Sequence, residues 1–327
     1  MIKSVNIAGI DIANRYFLAP MAGITDSAFR SVCKSFGAGL TYSEMVSAKA
    51  LTFRDKKSLS LLEAGDDELP FIVQIFGSEP EVCAEGALIA IENSKAAAID
   101  INMGCPVPKI VLNHEGSALM KDIKRAEQVI TAVKRAIDLP LTVKFRRGFT
   151  FDDLNAVEFA KMAESAGVSA VCVHGRTRTQ MYSGQSDMQT IADVKNAVSV
   201  PVIASGDIFS PEDAFKAMDE YGADAVMAAR GSLGNPFIFR EFLQYEETGS
   251  YEKPSYDEIF DTMKNHIALA AERKGERRAV AECRKHMLWY LKGIRGSKKH
   301  KTVLTSLDDY REVIAYLDEI KNDCRQV

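Results

Sequence analysis

The sequence predicts an α/β protein, a (β/α)8 TIM barrel followed by a small C-terminal helical bundle. Three observations carry that expectation. Short runs rich in Val, Ile and Ala recur eight times between residues 16 and 228. They are near-continuously apolar, as strands covered on both faces are. Amphipathic helical patterns lie between them, and eight such alternations over about 230 residues suit a closed barrel better than an open sheet. After Phe242 the alternation stops, and helical patterns follow one another without strands.

The elements can be justified in order. Strands are expected at 16–19, 40–44, 71–76, 98–102, 141–145, 170–174, 202–205 and 225–228. Helix patterns occupy 124–137, 153–166 and 211–221 among others. Turn or stop signals precede several strands: Phe36-Gly37-Ala38-Gly39, Asp138-Leu139-Pro140, Ala166-Gly167 and Tyr221-Gly222. Residues 245–254 read as a linker, followed by helices at about 256–273, 277–292 and 307–322. The domains are therefore expected at 1–244 and 255–327.

Composition narrows the class. Of 327 residues, 46% are hydrophobic and 26% charged, which excludes a disordered, fibrous or low-complexity chain. No apolar run approaches the ~18 residues of a membrane span. Asp11, Asn14 and Arg15 interrupt what would be the apolar stretch of a secretory signal. Cysteines 33, 83, 105, 172, 283 and 324 include no C-x-x-C pair and read as reduced thiols of a cytoplasmic protein. The overall charge is −4, yet residues 251–327 hold 16 basic against 13 acidic side chains. Between 273 and 301 there are 11 basic residues and two acids, Glu276 and Glu282. An acidic body with a basic helical appendage suggests an anionic partner, with a solvated helix face as the alternative.

In a barrel, chemistry sits where strands end, on the C-terminal face. Strand 1 runs into Pro20-Met21-Ala22-Gly23, strand 3 holds Gln74, and strand 4 ends in Asn102-Met103-Gly104-Cys105-Pro106. Strand 5 carries Lys144, strand 6 His174 and, beyond it, Arg178. Strands 7 and 8 end in Ser205-Gly206-Asp207 and Ala229-Arg230-Gly231. Small residues there suit a phosphate cradled by backbone N–H groups, with Arg230 as a charged fork. No clustered His or carboxylate ligands occur, so no metal is expected. One thiol, one lysine, one imidazole, amides and a phosphate seat suit an organic, phosphate-bearing cofactor.

The segments FLAPMAGITDSAFR (17–30), DINMGCPVPKI (100–110), GSALM (116–120), VHGRTRTQMYSG (173–184), ASGDI (204–208), ARGSLGNPF (229–237) and RKHMLWYLKG (284–293) resemble the tRNA-dihydrouridine synthase family, in the family's order. RKHMLWY and GSALM are most similar to its bacterial B-type branch. The resemblance implies an FMN barrel and a tRNA-binding helical domain. It also implies reduction of a particular D-loop uridine to 5,6-dihydrouridine by NADPH or NADH, with hydride from FMN N5 to C6. Cys105 then occupies the position of the acid that protonates C5, and a thiol with pKa about 8.5 keeps its proton at neutral pH.

By the same resemblance Pro20, Met21 and Ala22 approach the isoalloxazine ring and Gln74 its polar edge. Lys144 faces N1–C2=O, and His174 the flavin or its phosphate. Ser205, Gly206, Asp207, Ala229 and Arg230 form the phosphate end. Asn102 and Arg178 are expected at the uracil edge, and Lys292 and Arg295 on tRNA phosphates. Two positions depart from the family's pattern: Ser205 replaces the more common Asn, and Ala229 the more common Gly. The protein is expected to act as a monomer without a membrane. Two alternatives are a flavin-dependent reductase of a free pyrimidine or small enone, like dihydroorotate dehydrogenases, and a non-catalytic RNA-binding barrel. A basic helical domain argues against the first, since a small substrate does not need one.

Overall fold

Eight parallel strands close on themselves in the computed structural model, which describes residues 2–325. They are β1 (Tyr16–Leu18), β2 (Thr41–Tyr42), β3 (Phe71–Phe76), β4 (Ala98–Met103), β5 (Leu141–Arg146), β6 (Ala170–His174), β7 (Val202–Ser205) and β8 (Ala225–Ala228). Each pairs with its neighbours in sequence from β2 to β8, and β8 returns to pair with β1. A parallel bridge between Phe17 and Leu40 completes the ring. All eight expected strands form, and the expected barrel is the observed one.

Burial explains why the strands read as unbroken apolar runs. Val171 and Val173 of β6 pack outward under the helices, while Ala170 and Cys172 face the interior with Phe17, Tyr42 and Met227. Both faces are dry, so neither tolerates the polar alternation of a half-exposed strand. An antiparallel hairpin, Val5–Ile7 with Ile10–Ile12, was not expected; it sends Ile7 and Ile12 into that interior cluster.

Four local differences have physical causes. The helix expected at 153–166 starts at Ala156, because Gly148–Thr150 pairs with Asp153–Leu154 as a hairpin first. The pattern at 211–221 divides into Pro211–Phe215 and a π-helical turn, Lys216–Glu220. Four residues of the expected linker are helical, since Ile238–Thr248 continues until Gly249 adopts φ 73°. Lys298–Ser306 forms a helix that the sequence did not announce; only His300 and Leu304 are buried on it, too few for an apolar period.

The bundle is built from α1 (Ser27–Ser35), contributed by the barrel, with α2 (Tyr256–Lys274), α3 (Glu276–Tyr290), α4 (Lys298–Ser306) and α5 (Tyr310–Arg325). Ser255 caps α2 by accepting the Glu258 N–H, and Gly275 at φ 83° turns the chain into α3. Phe29 of α1 packs on the imidazoles of His266 and His286 at ring distances of 5.4 and 5.0 Å. Burial holds His266 down to about 4 and His286 well below its ordinary value, so this joint is neutral.

Polar groups also cross between barrel and bundle. Glu68, fully buried, accepts from Arg30 of α1 and, at 3.0 Å, from Arg273 of α2. Arg30 spends its other donors on the Thr25 and Glu63 carbonyls and lies 4.6 Å from the Phe71 ring centroid. Cys33, Cys83, Cys105, Cys172 and Cys283 are free thiols; the Cys324 side chain and residues 326–327 lie outside what is described. No helix among the described residues is long and apolar enough to cross a membrane.

Candidate active site

Cys105 sits on the loop after β4, half-buried, and its backbone is clamped from two sides. Its N–H donates to Asn102 Oδ1 at 2.9 Å, and its carbonyl accepts from Ser117 N–H at 3.1 Å and Ser117 Oγ at 2.8 Å. Gly116 must be glycine: at φ 59°, an added Cβ would lie 3.0 Å from Cys105 Cβ, Cys105 O and Ile110 Cγ2. The GSALM segment therefore holds the thiol in place. Burial raises the thiol above its ordinary value, outweighing the Val107 N–H, Arg146 and Lys144. The group stays protonated at neutral pH.

Donor and acceptor chemistry determines how Asn102 is oriented. Asp100 lies fully inside the barrel, where burial pushes it up to about 6 against hydrogen bonds from Thr142 and Gln74. A carboxylate can only accept, so Thr142 Oγ1 donates to it at 2.6 Å and Gln74 Nε2 at 2.7 Å. Gln74 Oε1 is thereby left to accept from Asn102 Nδ2 at 2.8 Å. Asn102 Oδ1 in turn accepts from the Gly104 and Cys105 N–H groups. Of the amide expected at the uracil edge, only one N–H remains, beside Met45 Sδ at 3.9 Å.

A cationic cluster surrounds His174. Burial lowers the imidazole well below its ordinary value, and Lys144, Arg146, Arg176 and Arg230 lower it further. The ring is neutral, and its Nε2 is buried without a partner, as is Nη1 of Arg176. Such an atom costs ~1–3 kcal/mol unless something pairs with it. Gly206 lies close against this ring. At φ 105°, a Cβ there would lie 2.4 Å from Ser186 Oγ and 2.7 Å from His174 Cδ2. Gly231 brings the strand-8 loop against the strand-7 loop, where a Cβ would meet Ile208 O at 2.2 Å. Orphaned polar atoms beside close-packed glycine backbone fit the phosphate-bearing cofactor expected from the sequence.

The other expected residues are less uniform. Asp207 at φ 54° accepts from Arg176 at 2.7 Å, the Ser186 N–H at 2.8 Å and Arg230 at 3.0 Å. Its carboxylate thus organises the two arginines. Ser205 faces the interior beside Cys172, and Ala229 accepts from the Ser232 N–H and Oγ at the start of a short turn. Pro20 and Met21 are half-buried and Ala22 exposed on a loop fixed by Thr25, whose hydroxyl accepts the Met21 N–H at 2.9 Å. Glu44 accepts the N–H of Gly23, two residues on, while Lys285 of α3 donates to the Gly23 carbonyl. The bundle therefore touches the rim directly.

The basic residues concentrated between 273 and 301 divide in two. Lys274 is half-buried between Asp26 and Glu282, Arg278 pairs with Glu282, and Arg284 with Asp308. Lys292 and Arg295 are exposed, but α3 ends at Tyr290 and they occupy the turns bounded by Gly293 (φ 85°) and Gly296 (φ 79°). Arg178 lies 5.4 Å from the Phe149 ring centroid, with its buried Nε unpartnered.

Sequence reasoning missed Arg146, Asp100 and Ser117 as site residues. Arg146 joins three loops, donating to the Gly104, Thr177 and Met181 carbonyls at 2.7, 2.9 and 3.0 Å. Its signal was present, since a charge two residues after Lys144 on a strand shares its face.

Residues 17–325 match the model of the dihydrouridine synthase (Dus) family. The chain is 42% identical over 307 residues to tRNA-dihydrouridine synthase B of Pseudomonas aeruginosa, covering 93% of this chain and 92% of that protein. It is 40% identical to a probable tRNA-dihydrouridine synthase of Rickettsia conorii, again covering 93% and 92%. Among solved structures, histamine dehydrogenase from Rhizobium sp. 4-9 shares the fold at TM-score 0.58 and 14% identity, over 82% of this chain and 50% of that one. A 2-naphthoyl-CoA reductase does so at 0.59 and 13%, over 75% and 52%. With nearly its whole length covered by the family model and by close relatives, the chain belongs to the dihydrouridine synthase family.

Proposed function

We propose that the protein is an FMN-dependent tRNA-dihydrouridine synthase that uses NADPH or NADH to reduce one D-loop uridine. The observation that carries this reading is a protonated thiol clamped on the same rim as an unpartnered imidazole and an unpartnered arginine N–H beside glycine backbone. Bound FMN, once reduced, supplies the hydride that adds at uracil C6.

The chain's own residues do the rest. Cys105 holds the proton that C5 receives, and its clamped loop keeps the sulfur from drifting off line. His174 and Gly206, with Arg230, hold the phosphate end; Ser205, Asp207 and Ala229 shape it. Lys144 and Gln74 meet the flavin's polar edge, and Pro20, Met21 and Ala22 its ring. Asn102 offers its remaining N–H, and Arg178 its guanidinium, to the uracil carbonyls. Domain roles follow as catalysis in 1–244 and tRNA binding in 255–327. A cytoplasmic location accords with the free thiols at the five described cysteines, and the same reading takes the protein as a monomer.

The direct test is absorbance. The purified protein is expected to be yellow, with flavin bands released on denaturation; a colourless protein that takes up no added FMN counts against the reading. Transfer to tRNA rather than to free uridine or dihydroorotate separates it from a small-molecule reductase.

Lys292→Glu combined with Arg295→Glu is expected to weaken tRNA binding. The salt dependence should become shallower by roughly one unit for each phosphate no longer neutralised, with flavin content unchanged. Equal affinity to wild type at several salt concentrations would remove these residues from the tRNA surface.

A further inference from the structure

Neither the proposed phosphate end nor the thiol loop uses the hairpin that follows β5. Phe151, at its turn, is 60% exposed, and Tyr182, on the loop after β6, is 54% exposed. Isolated exposed rings are ordinary, but these are interleaved with cations. Arg147 lies 5.9 Å from the Phe151 centroid; Arg146 and Arg230 lie 5.9 and 5.4 Å from that of Tyr182.

Backbone hydrogen bonds join the loops beneath these rings. Gly148 and Phe149 carbonyls accept the N–H groups of Arg178 and Thr179 at 3.0 and 3.1 Å, tying the hairpin to the β6 loop. The Arg147 carbonyl accepts from Asn155 and Ala156, each at 3.2 Å. A Cβ on Gly148 would lie 2.1 Å from the Asp153 carbonyl, so the two arms close on glycine.

Arg146 sets the distance to the chemistry. One guanidinium reaches the carbonyl of Gly104, immediately before Cys105, and that of Met181, immediately before Tyr182. The ring and the thiol loop therefore hang on the same side chain. Its charge is met by carbonyls alone, and the buried Nε of Arg178 is unpartnered; Asp187 and Asp207 pair with Arg147 and Arg230. Flat rings beside guanidinium groups, of which Arg146 at Tyr182 has no carboxylate partner, suit a ligand with planar bases on an anionic backbone.

We propose that Phe151 and Tyr182 form a stacking platform for the unpaired nucleotides next to the reacting uridine, so that the barrel grips RNA as well as the bundle. This rests on tRNA being the substrate. The test measures affinity of the full-length, flavin-loaded protein for an unmodified tRNA transcript by fluorescence anisotropy, over a range of salt. Phe151→Ala and Tyr182→Ala are each expected to weaken binding roughly tenfold and together more, with the salt slope unchanged because neither ring neutralises a phosphate. Phe151→Trp should retain wild-type affinity. Both rings are exposed, so melting temperature and flavin content should stay at wild-type values and report folding.

A double variant that binds tRNA within about twofold of wild type overturns the proposal. So does a loss accompanied by a shallower salt slope, which would mark an electrostatic effect. If wild type modifies tRNA and the double variant binds equally well, the platform alone is withdrawn. If wild type neither binds nor modifies tRNA, the proposed function falls with it.

Discussion

Cys105→Ala is expected to keep FMN and to be reduced by NADPH at the wild-type rate, yet to slow transfer to tRNA uracil by ~10²–10⁴-fold, the usual worth of a positioned acid. The structure makes this variant informative, because the loop is held by backbone contacts. Asn102 and Ser117 grip the Cys105 N–H and carbonyl, and both bonds survive removal of the sulfur. A thiol with only a packing role predicts the opposite: lower flavin content or stability, with turnover per flavin nearly intact.

The pH profile adds a second readout. The acid must be protonated, and burial raises its pKa, so transfer should hold through neutral pH and fall only as pH rises past the raised thiol value. Single-turnover measurements should separate flavin reduction by NADPH from reoxidation by tRNA. Reoxidation of the alanine variant at the wild-type rate would exclude Cys105 as the donor.

The second large effect is expected at Glu68→Gln. Glu68 is fully buried and answers the equally buried Arg30 together with Arg273 of the bundle. Glutamine keeps the shape but removes the charge, leaving a buried guanidinium with hydrogen bonds to carbonyls alone. Breaking a buried pair from one side costs ~3–5 kcal/mol, mostly for the stranded charge. For a chain of this size that corresponds to a fall in melting temperature on the order of 10 °C. Because Arg273 loses its buried carboxylate and keeps Asp67, Ser27 and Ser31, tRNA affinity should weaken less than stability while flavin content per folded protein is preserved. A melting temperature within about 2 °C of wild type would show that the pair is not what joins the barrel to the bundle.

These two sites differ in how visible they were. Cys105 stood out as a lone thiol in a recognisable motif at a strand end. Glu68 did not, because it lies in no motif and the sequence separates it from Arg273 by about two hundred residues. The cationic stripe in the bundle shows the same limit. The sequence groups Lys274, Arg278 and Arg284 with Lys292 and Arg295 in one basic segment, but the fold buries or pairs the first three and exposes the last two. Helical periodicity determines which residues share a face, whereas tertiary packing determines which face meets a carboxylate and which meets water.

The sequence alone determined the barrel, because eight two-sided apolar runs with turn signals between them leave few other ways to bury both faces. It also placed the reactive groups at strand ends, since the strand boundaries are local. Tertiary structure decided the orientation of Asn102, which follows from a carboxylate buried at Asp100 and an amide relayed through Gln74. It likewise decided the role of Arg146, which joins three loops that are distant in sequence. Hydrogen-bond direction is inherited from partner to partner across strands. No single segment contains the information, and only the closed ring brings the partners within reach.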